Sequence, residues 1–292
     1  MSSPTLAWLY ASFADGFGGG NPAGVVVSPE PLEPASAQAI AAVLSVPTTG
    51  FAVEPEAGAE STVDVRFFTP EREIDACGHV TIAVAAALVE LGVWQWGGDV
   101  TVRSRGGEFP LKLRDDCIEM THQLRLLEPA PVRWLEVEAA LGRVRPQTSL
   151  PLALVGTGLR HLVVPVPDTA RLAALELDAG RVAALAQAAA ADTICAWAPT
   201  VGSSRVRVRD LCAGIGALEE PASGTTAAAL ALYLADTGQL AGSELIVEQG
   251  IEMGRPSRIE VAVDAADTAT VRGAARKLLS GRLEPWSDDG GW

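Results

Sequence analysis

Cys77-Gly78-His79-Val80-Thr81, followed by the apolar run Ile82-Ala83-Val84-Ala85-Ala86-Ala87-Leu88 and a stop at Leu91-Gly92, has a counterpart later in the chain. It returns as Ser223-Gly224-Thr225-Thr226-Ala227, with an apolar run that ends at Thr237-Gly238. The two glycine-to-glycine spans are equal in length, and glycine is the usual residue just past a helix C-terminus. The pattern predicts two matched helices, Val80 to Leu91 and Thr226 to Thr237. Neither has a polar face, so each must be buried all round.

The flanks match as well. Each helix is preceded by an acidic segment, Glu71 to Asp75 and Glu219 to Glu220. Each is followed by a short loop and a strand, Val100 to Arg103 and Leu245 to Val247. A chance match between two Ala-rich segments accounts for the helices alone; a duplicated unit accounts for the flanks too. The predicted architecture is α+β, two pseudo-symmetric halves, each a strand-rich shell around one central buried helix. The halves are read as residues 1–126 and 127–292, with the last strands free to return to the first half. In this reading both helix N-termini face a shared cleft, and helix N-termini attract carboxylates. The expected ligand is a small acid.

Outward from the helices, Leu6 to Phe13 and Ala23 to Val27 read as strands on either side of the loop Asp15-Gly16-Phe17-Gly18-Gly19-Gly20-Asn21-Pro22. This loop fits a variant of the dinucleotide fingerprint, but it leads into a strand where a Rossmann loop leads into a helix. Residues Ala35 to Leu44 read as a helix with Ser36 as its cap and Pro47 as its stop. Further strands are expected at Thr49 to Val53, Val63 to Phe68 and Glu108 to Leu113. Val182 to Ala191 reads as a surface helix, Leu127 to Pro131 as the crossing between halves, and Glu284 to Trp292 as a mobile tail.

Composition excludes other classes. The 292 residues carry 36 acidic and 22 basic side chains, a net charge of −14, so a polyanion is repelled over most of the surface. No apolar stretch reaches the roughly 20 residues of a membrane span, and Met1 to Tyr10 lacks a basic n-region. A cytoplasmic location is expected, with neither nucleic acid nor membrane as partner. Cys77, Cys117, Cys195 and Cys212 form no Cys-x-x-Cys pair and read as reduced thiols. His79, His122 and His161 are too far apart for the usual metal-ligand spacing, so no metal is expected.

Several side chains could do chemistry. His79 opens a buried helix, where the positive helix end favours a neutral imidazole; its bland role is to bond backbone. Glu220, fixed by Pro221, could serve as a general acid or base if desolvation raises its pKa. Its neighbour Glu219 reads as a solvated loop residue. Ser223, Thr225 and Thr226 are good cap residues whose hydroxyls or amides could also hold a substrate carboxylate. Cys77 is either a proton-transfer thiol or a structural cysteine. Asp75 is the remaining ionisable group at the first helix mouth, and Gly78 and Gly224 open the two helices.

Four blocks then resemble the PhzF family of phenazine-biosynthesis-like isomerases, within the diaminopimelate epimerase fold. They are Phe17 to Val27 with Gly20-Asn21-Pro22-Ala23, Asp75 to Thr81, Glu219 to Thr225, and Glu248 to Ser257. The resemblance implies a cofactor-free isomerase, frequently a homodimer and often in secondary metabolism, including antibiotic biosynthesis. It moves a proton on a small unsaturated amino or hydroxy acid. It implies catalytic roles for His79, Glu220 and Thr225, and substrate contacts from Asn21, Thr48, Asp75, Cys77, Gly78, Ser223, Gly224 and Thr226. The family's shuttle glutamate falls at Thr48, whose hydroxyl is no base near neutral pH. Three readings follow: an isomerase with Glu220 as shuttle and His79 as partner, a one-base dehydratase or epimerase using Cys77, and a small-acid-binding protein that has lost catalysis.

Overall fold

The computed structural model describes residues 5–54, 61–145, 150–200, 204–214, 216–265 and 267–283. In chain order the elements are β1 (Leu6–Ser12), β2 (Asn21–Ser28), α1 (Pro34–Leu44), β3 (Thr48–Val53), β4 (Thr62–Phe68), β5 (Glu73–Ile74), α2 (Gly78–Glu90), β6 (Asp99–Ser104) and β7 (Gly107–Leu113). There follow β8 (Ile118–Gln123), β9 (Leu126–Pro129), α3 (Trp134–Leu141), β10 (Ala153–Gly156), β11 (Arg160–Pro165), α4 (Thr169–Ala173), α5 (Ala179–Ala188) and β12 (Thr193–Pro199). The chain continues with β13 (Arg205–Leu211), β14 (Glu219–Glu220), α6 (Gly224–Asp236), β15 (Glu244–Gln249), β16 (Ser257–Ala265), β17 (Thr268–Gly273) and β18 (Ala275–Arg282).

The chain divides into two compact units. Unit 1 is residues 1–12, 22–118 and 274–292; unit 2 is residues 13–21 and 119–273. The expected division at 126/127 falls inside β9 of unit 2. Leu127 to Pro131 is a correction to the reading: β9 is a ladder strand, antiparallel to β10, and not a bare crossing.

In unit 1, β2 runs parallel to β3 with α1 between them in sequence, β3 is antiparallel to β4, and β4 is antiparallel to the two-residue β5. After α2 the chain returns as β6 parallel to β4, then turns into antiparallel β7. Unit 2 repeats this order. β11 is parallel to β12 across α4 and α5, β12 antiparallel to β13, and β13 antiparallel to the two-residue β14. After α6 comes β15 parallel to β13, then antiparallel β16.

The repeat reaches single side chains. In unit 1, Arg66 of β4 donates through Nε and Nη2 to both oxygens of Glu73 in β5, each at 2.9 Å. In unit 2, Arg209 of β13 makes the same fork to Glu219 of β14, at 3.0 and 2.7 Å. Glu219 is therefore no solvated loop residue: it is locked to Arg209 with both side chains 8% exposed. Such a fork matches carboxylate geometry with two parallel hydrogen bonds.

α2 and α6 are each 13 residues and nearly wholly buried, which their all-apolar surfaces require. Small residues let strands lie close to them. A Cβ on Gly50 of β3 would stand 2.9 Å from both Val80 and Val84 of α2. α5 buries Val182, Leu185 and Ala186 and exposes its other faces. In α1 the cap is Glu33, with Pro34 at the first helical position, so Ser36 lies inside the helix. Its end is set by Ser45 in the left-handed region, two residues before Pro47. The tail expected at Glu284 to Trp292 lies outside the described residues. Among the described residues, no helix is long and apolar enough to cross a membrane.

Candidate functional site

The candidate residues fall into two groups. Unit 1 holds Thr48, Asp75, Cys77, Gly78 and His79; unit 2 holds Asn21, Glu220, Ser223, Gly224, Thr225 and Thr226.

In unit 1, Cys77 is the residue before α2, in extended conformation, and its side chain caps nothing. Its Sγ lies 3.4 Å from His79 Nδ1. His79 is buried, and Ser12 Oγ donates to its carbonyl at 2.6 Å. Burial pushes the imidazole down to about 4, against the pull of its hydrogen bond to the Pro22 backbone. At neutral pH it is an uncharged ring, as a helix start favours. Thr48 is buried at the start of β3, paired in register with Ala23. Asp75 stands apart: it is largely exposed and faces Arg105 at 3.4 Å. A Cβ at Gly78 would meet nothing within 4 Å, so packing within unit 1 does not demand glycine there.

In unit 2, Ser223 caps α6 by accepting from Thr226 N. Asn21 ties the neighbouring segment down, donating through Nδ2 to Glu220 Oε2 at 2.6 Å and to the Ala222 carbonyl at 2.9 Å. Gln249 completes the frame, donating to the Glu220 carbonyl at 2.7 Å and accepting from Ser223 N at 3.3 Å. The glycine loop before Asn21 is held by Pro256, whose carbonyl accepts from Asp15 N and Gly20 N. A Cβ on Gly19 would stand 2.1 Å from that carbonyl, which is why the loop needs glycine there; it feeds into β2, not a helix.

Glu220 is the candidate carboxyl of this group. Burial first, then the Asp210 carboxyl, pushes its acid up from 4.5 to about 7, opposed by the hydrogen bond from Asn21. A carboxyl poised at working pH can both take and return a proton. Thr225 is half-buried; its Oγ1 lies 3.2 Å from Ser223 Oγ, and its carbonyl accepts from Thr157 Oγ1 at 3.1 Å. Thr226 Oγ1 donates to Asp210 Oδ2 at 2.7 Å and lies 2.9 Å from Ser223 Oγ and 3.3 Å from His161 Nδ1. Gly224 packs near Val271, Phe13 and His122.

Three groups here were missed by the sequence reading. Asp210 is buried in β13, and desolvation raises its acid to about 6 against hydrogen bonds led by that from Thr226. Burial lowers His161 to about 3 and His122 to about 4. No linear signal marks them: the two histidines come from strands far from α6 in sequence, and the burial of Asp210 follows from strand pairing. Among the described residues, no three His, Cys, Asp or Glu side chains are arranged to hold a metal ion. A groove of about 680 Å³ in unit 1, between Pro31, Phe51 and Arg103, is lined by none of the candidate residues.

Comparison with known proteins agrees with this architecture. The family described as phenazine biosynthesis-like protein matches residues 10–281. A Deinococcus radiodurans protein called an uncharacterized isomerase is 35% identical over 272 residues, covering 88% of this chain and 86% of its own. The trans-2,3-dihydro-3-hydroxyanthranilate isomerase of Pseudomonas fluorescens is 28% identical, covering 82% of this chain and 83% of its own. Among solved structures, a Bacillus anthracis PhzF-family protein superposes with a TM-score of 0.82 at 23% identity, covering 97% of this chain and all of its own. A hydroxyproline epimerase of Agrobacterium vitis shares the fold more distantly, with a TM-score of 0.59 at 13% identity, over 97% of this chain and 94% of its own. The duplicated α+β architecture and the family match over nearly the whole chain make this protein a member of the phenazine-biosynthesis-like, PhzF-type isomerase family.

Proposed function

We propose that the protein is a cofactor-independent isomerase that shifts a proton, and with it a double bond, on a small unsaturated acid derived from an amino acid. The carrying observation is Glu220, clamped by Asn21 and raised to about 7, the one candidate carboxyl poised to act in both directions near neutral pH. As a carboxylate it removes a proton from a substrate carbon, and the electron pair moves into the conjugated system. As an acid it returns that proton to another carbon, so no redox partner is needed. The neutral His79 is the second proton-handling group in this reading. Thr225, Ser223 and the first amides of α6 are the donors expected to meet a substrate carboxylate. The reading includes a homodimer acting in the cytoplasm in secondary metabolism.

The test is turnover of trans-2,3-dihydro-3-hydroxyanthranilate, the substrate in the name of the Pseudomonas fluorescens relative. A panel of small unsaturated amino acids follows, in D₂O with NMR detection. Deuterium at a product carbon supports a side-chain shuttle. Full turnover by Glu220→Gln removes Glu220 from the mechanism. A second reading, one-base chemistry at Cys77, is favoured by the 3.4 Å approach of Cys77 Sγ to His79 Nδ1, which offers the thiol an acceptor for its proton.

A further inference from the structure

The duplicated strands make an internal control. In unit 1, Phe67 of β4 pairs with Ile74 of β5, one rung from the Phe68–Glu73 pair that anchors the arginine fork. In unit 2, the same two rungs are Asp210–Glu220 and Leu211–Glu219. The fork is common to both units; the neighbouring rung is apolar in one and doubly acidic in the other. Directly opposed residues of an antiparallel pair project from the same face, close enough to interact, and like charges there oppose each other. Asp210 is 1% exposed, so water screens little of that repulsion.

We propose that Asp210 is a positioning residue for Glu220: the two carboxyls, opposed on one rung of β13 and β14, carry a single proton between them at neutral pH. A shared proton keeps both forms of Glu220 within reach, as a residue that takes and returns a proton requires. The inference rests on the isomerase reading for its meaning, but not for its test.

The surroundings favour one proton over none or two. Arg209, the nearest cation on β13, is engaged by Glu219 and by the carbonyls of Leu172 and Leu175. On β11 and β8, His161 and His122 are held neutral by burial and supply no positive charge. Cys195 of β12, in register with Asp210, and Cys212 just beyond β13 are thiols pushed up by burial, so neither is ionised. Uncharged donors lie around the pair: Asn21 at the start of β2, Thr193 of β12, Ser223 at the cap of α6 and Thr226 within it. Hydrogen bonds from these keep one carboxylate in place, and among the described residues no cation is paired with either carboxyl.

The experiment is a carbon-13 NMR titration of protein labelled at the glutamate carboxyls, with Glu220→Gln assigning the resonance. In the unaltered protein the Glu220 signal should titrate near neutral pH in two overlapping steps, the mark of a coupled pair. Asp210→Asn should leave one step, lower by at least about one pH unit, because removing the second charge releases the repulsion. The pH profile of turnover should move the same way. Two results overturn the inference: a Glu220 signal titrating in the ordinary carboxylate range, or one unmoved in folded Asp210→Asn. If that variant does not fold, the single- or two-step shape in the unaltered protein decides. A coupled titration in a protein that turns over no acid would refute the isomerase reading and leave the pair standing.

Discussion

Glu220→Gln should make the protein more stable at alkaline pH while removing its turnover. The carboxyl titrates at about 7 in the folded chain against 4.5 ordinarily. A raised folded-state pKa contributes stability that is fully present below pH 4.5 and is lost as pH rises through 7. Two and a half pH units correspond to at most about 3 to 4 kcal/mol, and partial screening of a half-buried side chain brings the expectation to about 2 kcal/mol. Glutamine keeps an oxygen for Asn21 Nδ2 but never ionises, so the variant escapes the loss. Urea unfolding followed by tryptophan fluorescence at pH 5, 6, 7 and 8 should show the two proteins converging at the acid end. At pH 8 the variant should lead by about 2 kcal/mol, or roughly 4 to 8 °C in Tm. The histidine titrations are common to both proteins and cancel in the difference. Turnover should fall by roughly 10²–10⁴-fold, the usual contribution of a positioned acid–base group. Parallel stability curves across this range, or a variant less stable at pH 8, would refute the desolvated-carboxyl argument.

Five further variants have expected outcomes. His79→Asn should lower turnover by roughly 10²–10⁴-fold with the fold intact, whereas Cys77→Ser should keep most activity; an inactive but folded Cys77→Ser moves the mechanism to the thiol. Arg209→Met, which strands the buried Glu219 carboxylate, should cost about 3–5 kcal/mol by urea unfolding. Arg66→Met, at a side chain 35% exposed, should cost about 1 kcal/mol or less, and equal losses would contradict the burial argument. Gly250→Ala should lower Tm and turnover together. Gly250 sits at φ +74°, where an added Cβ would stand 2.4 Å from the Arg255 carbonyl and 2.6 Å from that of Pro221, the residue after Glu220.

The duplication was legible because it rests on local rules. A helix with no polar face must be enclosed, glycine marks its end, and a glycine loop running into β-branched residues makes a strand. Those rules are written into neighbouring residues, so α2, α6, β2 and the position of Glu220 before α6 follow from reading along the chain. The acidic step before each helix was visible too. Its division of labour was not: Glu219 looked solvated until β13 placed Arg209 against it, and β9 looked like a bare linker until it found β10 as a partner. Strand pairing, and the desolvation that follows from it, have no signature in the linear order. Asp210 is the sharpest case. In sequence it is one acid within an arginine-rich strand; only the rung it shares with Glu220, and the burial that keeps water from screening their repulsion, give it a bearing on the chemistry.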